Sequence, residues 1–275
     1  MGYEFDSRYA YPMPIAIALI ILVATFVTSF ISGIFGMAGG LILMGILIAV
    51  VAVPTAMITH GAIMMVANGW RAYLLKDDIV WPVFWRYMIG AVFGIGVLFA
   101  IVWRPDKTAI YLILALIPII VWIPKRWFHL DIRARGQAEF SGFIVQAMNT
   151  LAGVAGPLLD IFFVNTDMTR QQIVATKSIT QSVSHIIKVF FWTGPILTTT
   201  GLTQEPTFPP VWLLIIAAPM AMAGTFVGKG ILVRMTDANF QVWVKWLVTI
   251  IGVIYFGRAM GWLSAYLAPR LEEIF

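Results

Sequence analysis

The 275-residue sequence contains no cysteine. That absence excludes disulfides, thiolate metal sites, iron–sulfur clusters and cysteine nucleophiles together. Charge is nearly as scarce: charged residues make up 11% of the chain against 60% hydrophobic ones, with a mean hydropathy of +0.90. A soluble domain of this length carries about a quarter charged residues, so the composition predicts an all-α polytopic membrane protein. The motifs HExxH and GxSxG are missing, and no pair of acids stands opposed in the apolar runs, so an intramembrane enzyme is not expected. The three histidines, His60, His129 and His185, are scattered along the chain, so no metal or haem site and no cofactor is expected. No basic run with interleaved aromatics suggests a nucleic-acid surface.

What the sequence has is apolar runs. They fall at roughly 14–33, 37–53, 57–75, 80–102 and 107–124, and again at roughly 138–152, 155–165, 170–193, 210–233 and 239–262. The N-terminal stretch MGYEFDSRYAYPMP lacks the basic start of a cleaved signal, so the first run is expected to be a membrane segment. Between the two sets lies PKRWFHLDIRARGQAE, the most basic stretch of the chain. The organisation expected is a first repeat over 1–124, a basic linker over 125–137 and a second repeat over 138–275.

The two halves share residues in register. SGIFGMAGG (32–40) matches NTLAGVAGP (149–157) at Gly36/Gly153, Ala38/Ala155 and Gly39/Gly156. The same offset pairs His60 with Lys177, Asn68 with His185 and Arg71 with Lys188. Polar residues matching in the same register as the glycines point to a duplication. With the N-terminus outside, the inner face receives Arg71, Lys76, Lys125, Arg126, Arg133, Arg135, Arg170, Lys229 and Arg234, as the positive-inside rule requires. An odd number of segments per half inverts the second repeat, an arrangement shared by many secondary transporters. Segments 37–53 and 155–165 follow Gly-rich breaks and are short for a crossing of about 20 residues, so re-entrant hairpins are expected there.

The most polar apolar-flanked stretch is TKSITQSVSHIIK (176–188). At about 100° per residue, Lys177, Gln181, His185 and Lys188 share an arc of roughly 80°, and His60, Asn68 and Arg71 repeat that stripe in the first half. Arg71 and Lys188 lie toward segment ends, where a long basic side chain also reaches the headgroups. A donor-rich, cationic face with no acid on it favours a small anion. The expected site has Lys177, Gln181 and His185 as primary donors, with Thr176 and Ser178 beside them. His60, Asn68, Arg71 and Lys188 form its other half, and the helix breaks at Gly36, Gly39, Gly40, Gly153 and Gly156 supply backbone N–H groups. Asp160 is a candidate counter-ion for Lys177 or Lys188. Asp160, His60 and His185 are the candidates for coupling to protons.

SGIFGMAGG, GAVFGIGV (90–97) and VATKSITQSVSHIIKVFFW (174–192) resemble the TauE/SafE family of membrane proteins, over about residues 25–262. The resemblance implies an inverted-repeat carrier, in a bacterial inner membrane, for small sulfur-containing or organic anions such as sulfite, sulfoacetate or related sulfonates. An anion channel is the nearest alternative. Two departures bear on substrate: Pro157 stands in place of the second glycine of the pair, and Lys177 where many relatives have a small residue.

Overall fold

The computed structural model describes residues 13–35, 38–101, 105–124, 127, 130–163, 165–198, 208–232 and 237–272. Among these residues the chain is all helical, with no strand: α1 (Ile15–Phe35), α2 (Ala38–Val50), α3 (Val53–Leu74), α4 (Trp81–Ile101), α5 (Lys107–Trp122), α6 (Gln137–Ala152), α7 (Gly156–Ile161), α8 (Arg170–Thr198), α9 (Val211–Leu232) and α10 (Asp237–Glu272). The apolar runs of the sequence dictate this, since a backbone in hydrocarbon must satisfy its own hydrogen bonds. Local chemistry sets the ends. Asp106 accepts from the backbone N–H of Ala109 at 2.8 Å to cap α5, Pro54 opens α3, and Pro157 sits in the first turn of α7.

Ile15–Phe35, Trp81–Ile101 and Val211–Gly228 are long and apolar enough to cross a bilayer on their own. Their outward faces carry Leu19, Val23, Ile89, Phe93, Ile215 and Phe226, all exposed, as lipid-facing residues would be. α2 and α7 are different. At 1.5 Å per residue they extend only about 20 Å and about 9 Å, short of the roughly 30 Å of hydrocarbon. Each folds back on the helix before it. Gly39 of α2 packs directly on Thr28 and Ser32 of α1. The end of α2 and the start of α3 (Ala49–Pro54) line one cleft with Met13, Pro14 and Ile17 from the start of α1. In the second half the N–H of Ile132, before α6, donates to the carbonyl of Phe162, after α7, at 2.7 Å. Both helix pairs are therefore hairpins that return to the end they started from.

Pairing between elements crosses the halves. α1 packs on α9, α6 on α4, α3 on α8 and α5 on α10. Glycines make the first two pairs close: Gly33 of α1 rests on Thr225 and Gly228 of α9, while Gly94 of α4 rests on Phe143 of α6. α3 and α8 run antiparallel, since His60 meets Lys188, Met65 meets Ser182 and Gly69 approaches Ser182. α3 starts at the open end of the first hairpin and α8 at the open end of the second. The two hairpins thus enter from opposite ends of the α3–α8 pair, and their tips meet in the middle. Tyr255 of α10 donates to the carbonyl of Leu41, tying α2 to the last helix.

Candidate functional site

The middle of the α3–α8 contact is built around Gly61. A Cβ there would stand 2.6 Å from Cγ2 of Val189 and 3.2 Å from Cε of Lys188, so only glycine lets the lysine stem lie across α3. The Lys188 side chain is fully buried and its Nζ donates twice, to the carbonyl of Gly153 at 3.0 Å and to Nδ1 of His60 at 2.8 Å. His60, equally buried, has Nε2 at 3.0 Å from the carbonyl of Gly40. A carbonyl only accepts, so Nε2 carries the proton and Nδ1 is the acceptor for Lys188. Gly40 belongs to the tip of the first hairpin and Gly153 to the tip of the second. The lysine and the histidine therefore link both tips.

Gly153 holds its tip by conformation. It ends α6 with φ of +82°, in the left-handed region that glycine adopts without a steric cost, and Met44 of α2 fills the space a Cβ would take. His185 stands one turn before Lys188, its ring 5.5 Å from that of His60 and edge-on at 64°. Its Nδ1 is buried with no partner. Among the described residues no carboxylate lies within ion-pair distance of Lys188. When protonated, its amine has three donors and two are used, which leaves one N–H without a partner among the described residues. Lys188 is therefore not a headgroup anchor.

Lys177 lies elsewhere. Eleven residues earlier on α8, about 16 Å away, it forms an ion pair with Asp160 of α7. Asp160 answers Lys177, and among the described residues Lys188 has no such partner. Near that end of α3, Arg71 donates from Nη2 to the carbonyl of Ser32 at 3.3 Å and to its hydroxyl at 3.5 Å. Asn68 is half-buried one turn before Arg71. Gln181 sits between the two clusters with Nε2 buried and unpartnered. The hydroxyl of Thr176 accepts from the N–H of Val80 at 3.0 Å, which holds the start of α4, and Ser178 is buried. Gly39 and Gly156 are buried within the hairpins; Gly36 and His129 lie outside the described residues. The structure thus brings His60, His185, Lys188, Gly40 and Gly153 together and sets Lys177, Asn68 and Arg71 apart from them.

The run at 138–152 is α6, but its buried polar face is not among the expected site residues. Gln146, Asn149 and Thr150 are fully buried on it. Nε2 of Gln146 donates to the hydroxyl of Thr150 at 2.9 Å and to the carbonyl of Ser184 at 3.3 Å, and Nε1 of Trp192 donates to the carbonyl of Thr150 at 2.8 Å. The sequence signal was three polar residues, Gln146, Asn149 and Thr150, spaced along the second half of that run.

These features define an integral membrane protein of the helical type with polar groups gathered where two helical hairpins meet. The chain belongs to the TauE/SafE family: the family model described as "Sulfite exporter TauE/SafE" matches residues 20–255. It is accordingly a membrane transporter of the sulfite-exporter type. Neither the curated proteins nor the solved structures contain a significant match to the chain.

Proposed function

We propose that the protein is a secondary carrier for a small sulfur-containing or organic anion, such as sulfite or a sulfonate, and that the anion binds at Lys188. The observation that carries this reading is the fully buried Lys188, bonded to His60 and to the tip of the second hairpin, with no carboxylate among the described residues to neutralise it. An anion entering between the tips supplies the missing charge and accepts the free N–H. His60 and His185 line the same place, and are the groups placed to exchange a proton with solvent when the site opens. Lys177, Gln181, Asn68 and Arg71 line the approach from the other end of α8.

Alternating access follows from the two halves acting as inverted repeats. In support of that relation, the cross-half helix pairs exchange under it: α1 on α9 becomes α6 on α4, while α3–α8 and α5–α10 map onto themselves. The hydrogen bond from Ser182 to the carbonyl of Met65, at 3.0 Å, joins two residues 117 positions apart, the offset of the proposed repeat, as a contact on its axis would. Rocking one repeat against the other about this axis would open the hairpin tips to each side in turn. The basic side chains around the linker favour placing that end in the cytoplasm of a bacterial inner membrane, with the N-terminus outside.

The full burial of His60 and Lys188 favours a carrier over an open anion channel. Purified protein in liposomes tests both. A carrier gives saturable uptake of sulfite or a sulfonate and counter-exchange with anion loaded on the other side. Electrodiffusive current with a reversal potential set by the anion gradient would establish the channel instead, and failure of every anion in the panel would refute the transport reading.

A further inference from the structure

We infer that the anion bound at Lys188 must itself carry a hydrogen-bond donor, an O–H or N–H, and that Asn149 and Gln146 select for it. This deepens the carrier reading above and rests on it. The starting point is a set of buried polar atoms without partners. Asn149 is fully buried and neither Oδ1 nor Nδ2 has a hydrogen bond, so exchanging the two amide atoms changes nothing. Gln146 is also fully buried. Its Nε2 is committed to Thr150 and to the carbonyl of Ser184, which fixes the amide orientation and leaves Oε1 as an acceptor without a donor.

Their place in the fold sets these residues on the face of α6 whose end, Gly153, bonds the lysine. At about 100° per residue, Gln146, Asn149, Thr150 and Gly153 occupy an arc of roughly 100° on α6. That face lies along α8: Gln146 bonds Ser184, Gly153 accepts from Lys188, and Thr150 accepts from Trp192. Asn149 lies at the edge of this arc, one turn before Gly153. The repeat gives a second, independent line. The offset that relates Arg71 to Lys188 relates Ser32 to Asn149, and Arg71 donates to Ser32. If the halves are related by that offset, the counterpart of that contact would bring Asn149 to the neighbourhood of Lys188, which itself bonds Gly153 and His60.

A simple, fully deprotonated oxyanion offers only acceptors. It would satisfy Lys188, the Asn149 Nδ2 and a histidine N–H. It would leave the amide oxygens of Asn149 and Gln146 buried and unpaired, or facing its own oxygens. An anion with one donor satisfies both sets. Two kinds of ligand share that chemistry: a singly protonated inorganic oxyanion, and a sulfonate bearing a hydroxyl or amino group. A site built to bond an O–H discriminates strongly against the analogue lacking it.

Two measurements on the wild-type protein distinguish the sources and decide the inference. The first compares 2-hydroxyethanesulfonate with propane-1-sulfonate, which replaces the hydroxyl by a methyl group, as competitors of sulfite uptake into liposomes. The second measures sulfite uptake across the pH range in which hydrogensulfite loses its proton. The inference predicts a preference of about 10-fold or more for the hydroxyl-bearing sulfonate, or a KM that stays constant only when expressed as hydrogensulfite. Either result supports it, and the one observed identifies the source. Asn149→Leu and Gln146→Leu should bring the preference toward one, and the wild-type comparisons decide where a variant does not fold. If the paired sulfonates compete equally and KM is constant in the dianion, the inference is overturned while the carrier reading stands. Absence of any anion binding or uptake would overturn the carrier reading and this one with it.

Discussion

The Nζ of Lys188 lies 2.8 Å from Nδ1 of His60 across the α3–α8 contact, and each side chain also holds the carbonyl of one hairpin tip. The pair is thus a structural link, with no carboxylate in ion-pair distance of Lys188 among the described residues. His60→Phe removes the acceptor for Lys188 and the donor to Gly40 together. Each buried group left unpaired costs about 1–3 kcal/mol, so thermal stability and anion uptake should both fall. His60→Gln, whose carbonyl can accept from Lys188 while its amide donates to Gly40, should recover part of both. A thermal-unfolding series in detergent, run beside uptake, checks this; a glutamine no better than phenylalanine would contradict the assigned bonds.

The tip conformation makes a separate prediction. Gly153→Ala places a Cβ on a left-handed residue and within 2.7 Å of Met44 Sδ. The strain is on the order of 1–3 kcal/mol, and the displaced tip carries with it the carbonyl that Lys188 bonds. Expected outcomes are a lower unfolding temperature and a raised KM for the transported anion.

The ion pair of Lys177 with Asp160 is partly open to solvent, at 20% and 38% side-chain exposure. Its contribution to stability is therefore modest, below about 1 kcal/mol. Lys177→Gln and Asp160→Asn should each impair uptake more than the double substitution, which removes both charges and strands neither. Should Asp160→Asn alone abolish pH-driven accumulation while the double variant does not restore uptake, Asp160 carries the proton.

Arg86 fastens the linker to the second hairpin. Its guanidinium meets Glu139 through Nε at 2.8 Å and Nη2 at 2.9 Å, and reaches the carbonyls of Arg133 and Ala134. Bidentate geometry of this kind is the stronger form of ion pair. Arg86→Ala should lower stability on the order of 1 kcal/mol and leave KM unchanged, since none of these groups touches the site.

Much of this was legible in the sequence, for physical reasons. Apolar runs in lipid have to be helices, and runs as short as 155–165 have to turn back. The stripe on α8 was visible because helical spacing puts its polar residues on one face. Two things were not visible. The first is that the stripe divides: His60 and Lys188 are 128 positions apart and meet only because α3 and α8 are antiparallel, a tertiary fact. The second is Asn149, whose short amide in an apolar run reads as an ordinary polar interruption until its burial without partners is seen.

The central claim is that an anion neutralises Lys188 between the two tips. Saturable sulfite uptake into liposomes, compared between wild type and Lys188→Met with folding verified by gel filtration, tests it most directly. Loss of one charged, buried contact of this kind predicts uptake reduced by about 100-fold or more in the folded variant. A folded Lys188→Met protein that takes up sulfite with the wild-type KM and rate would contradict it.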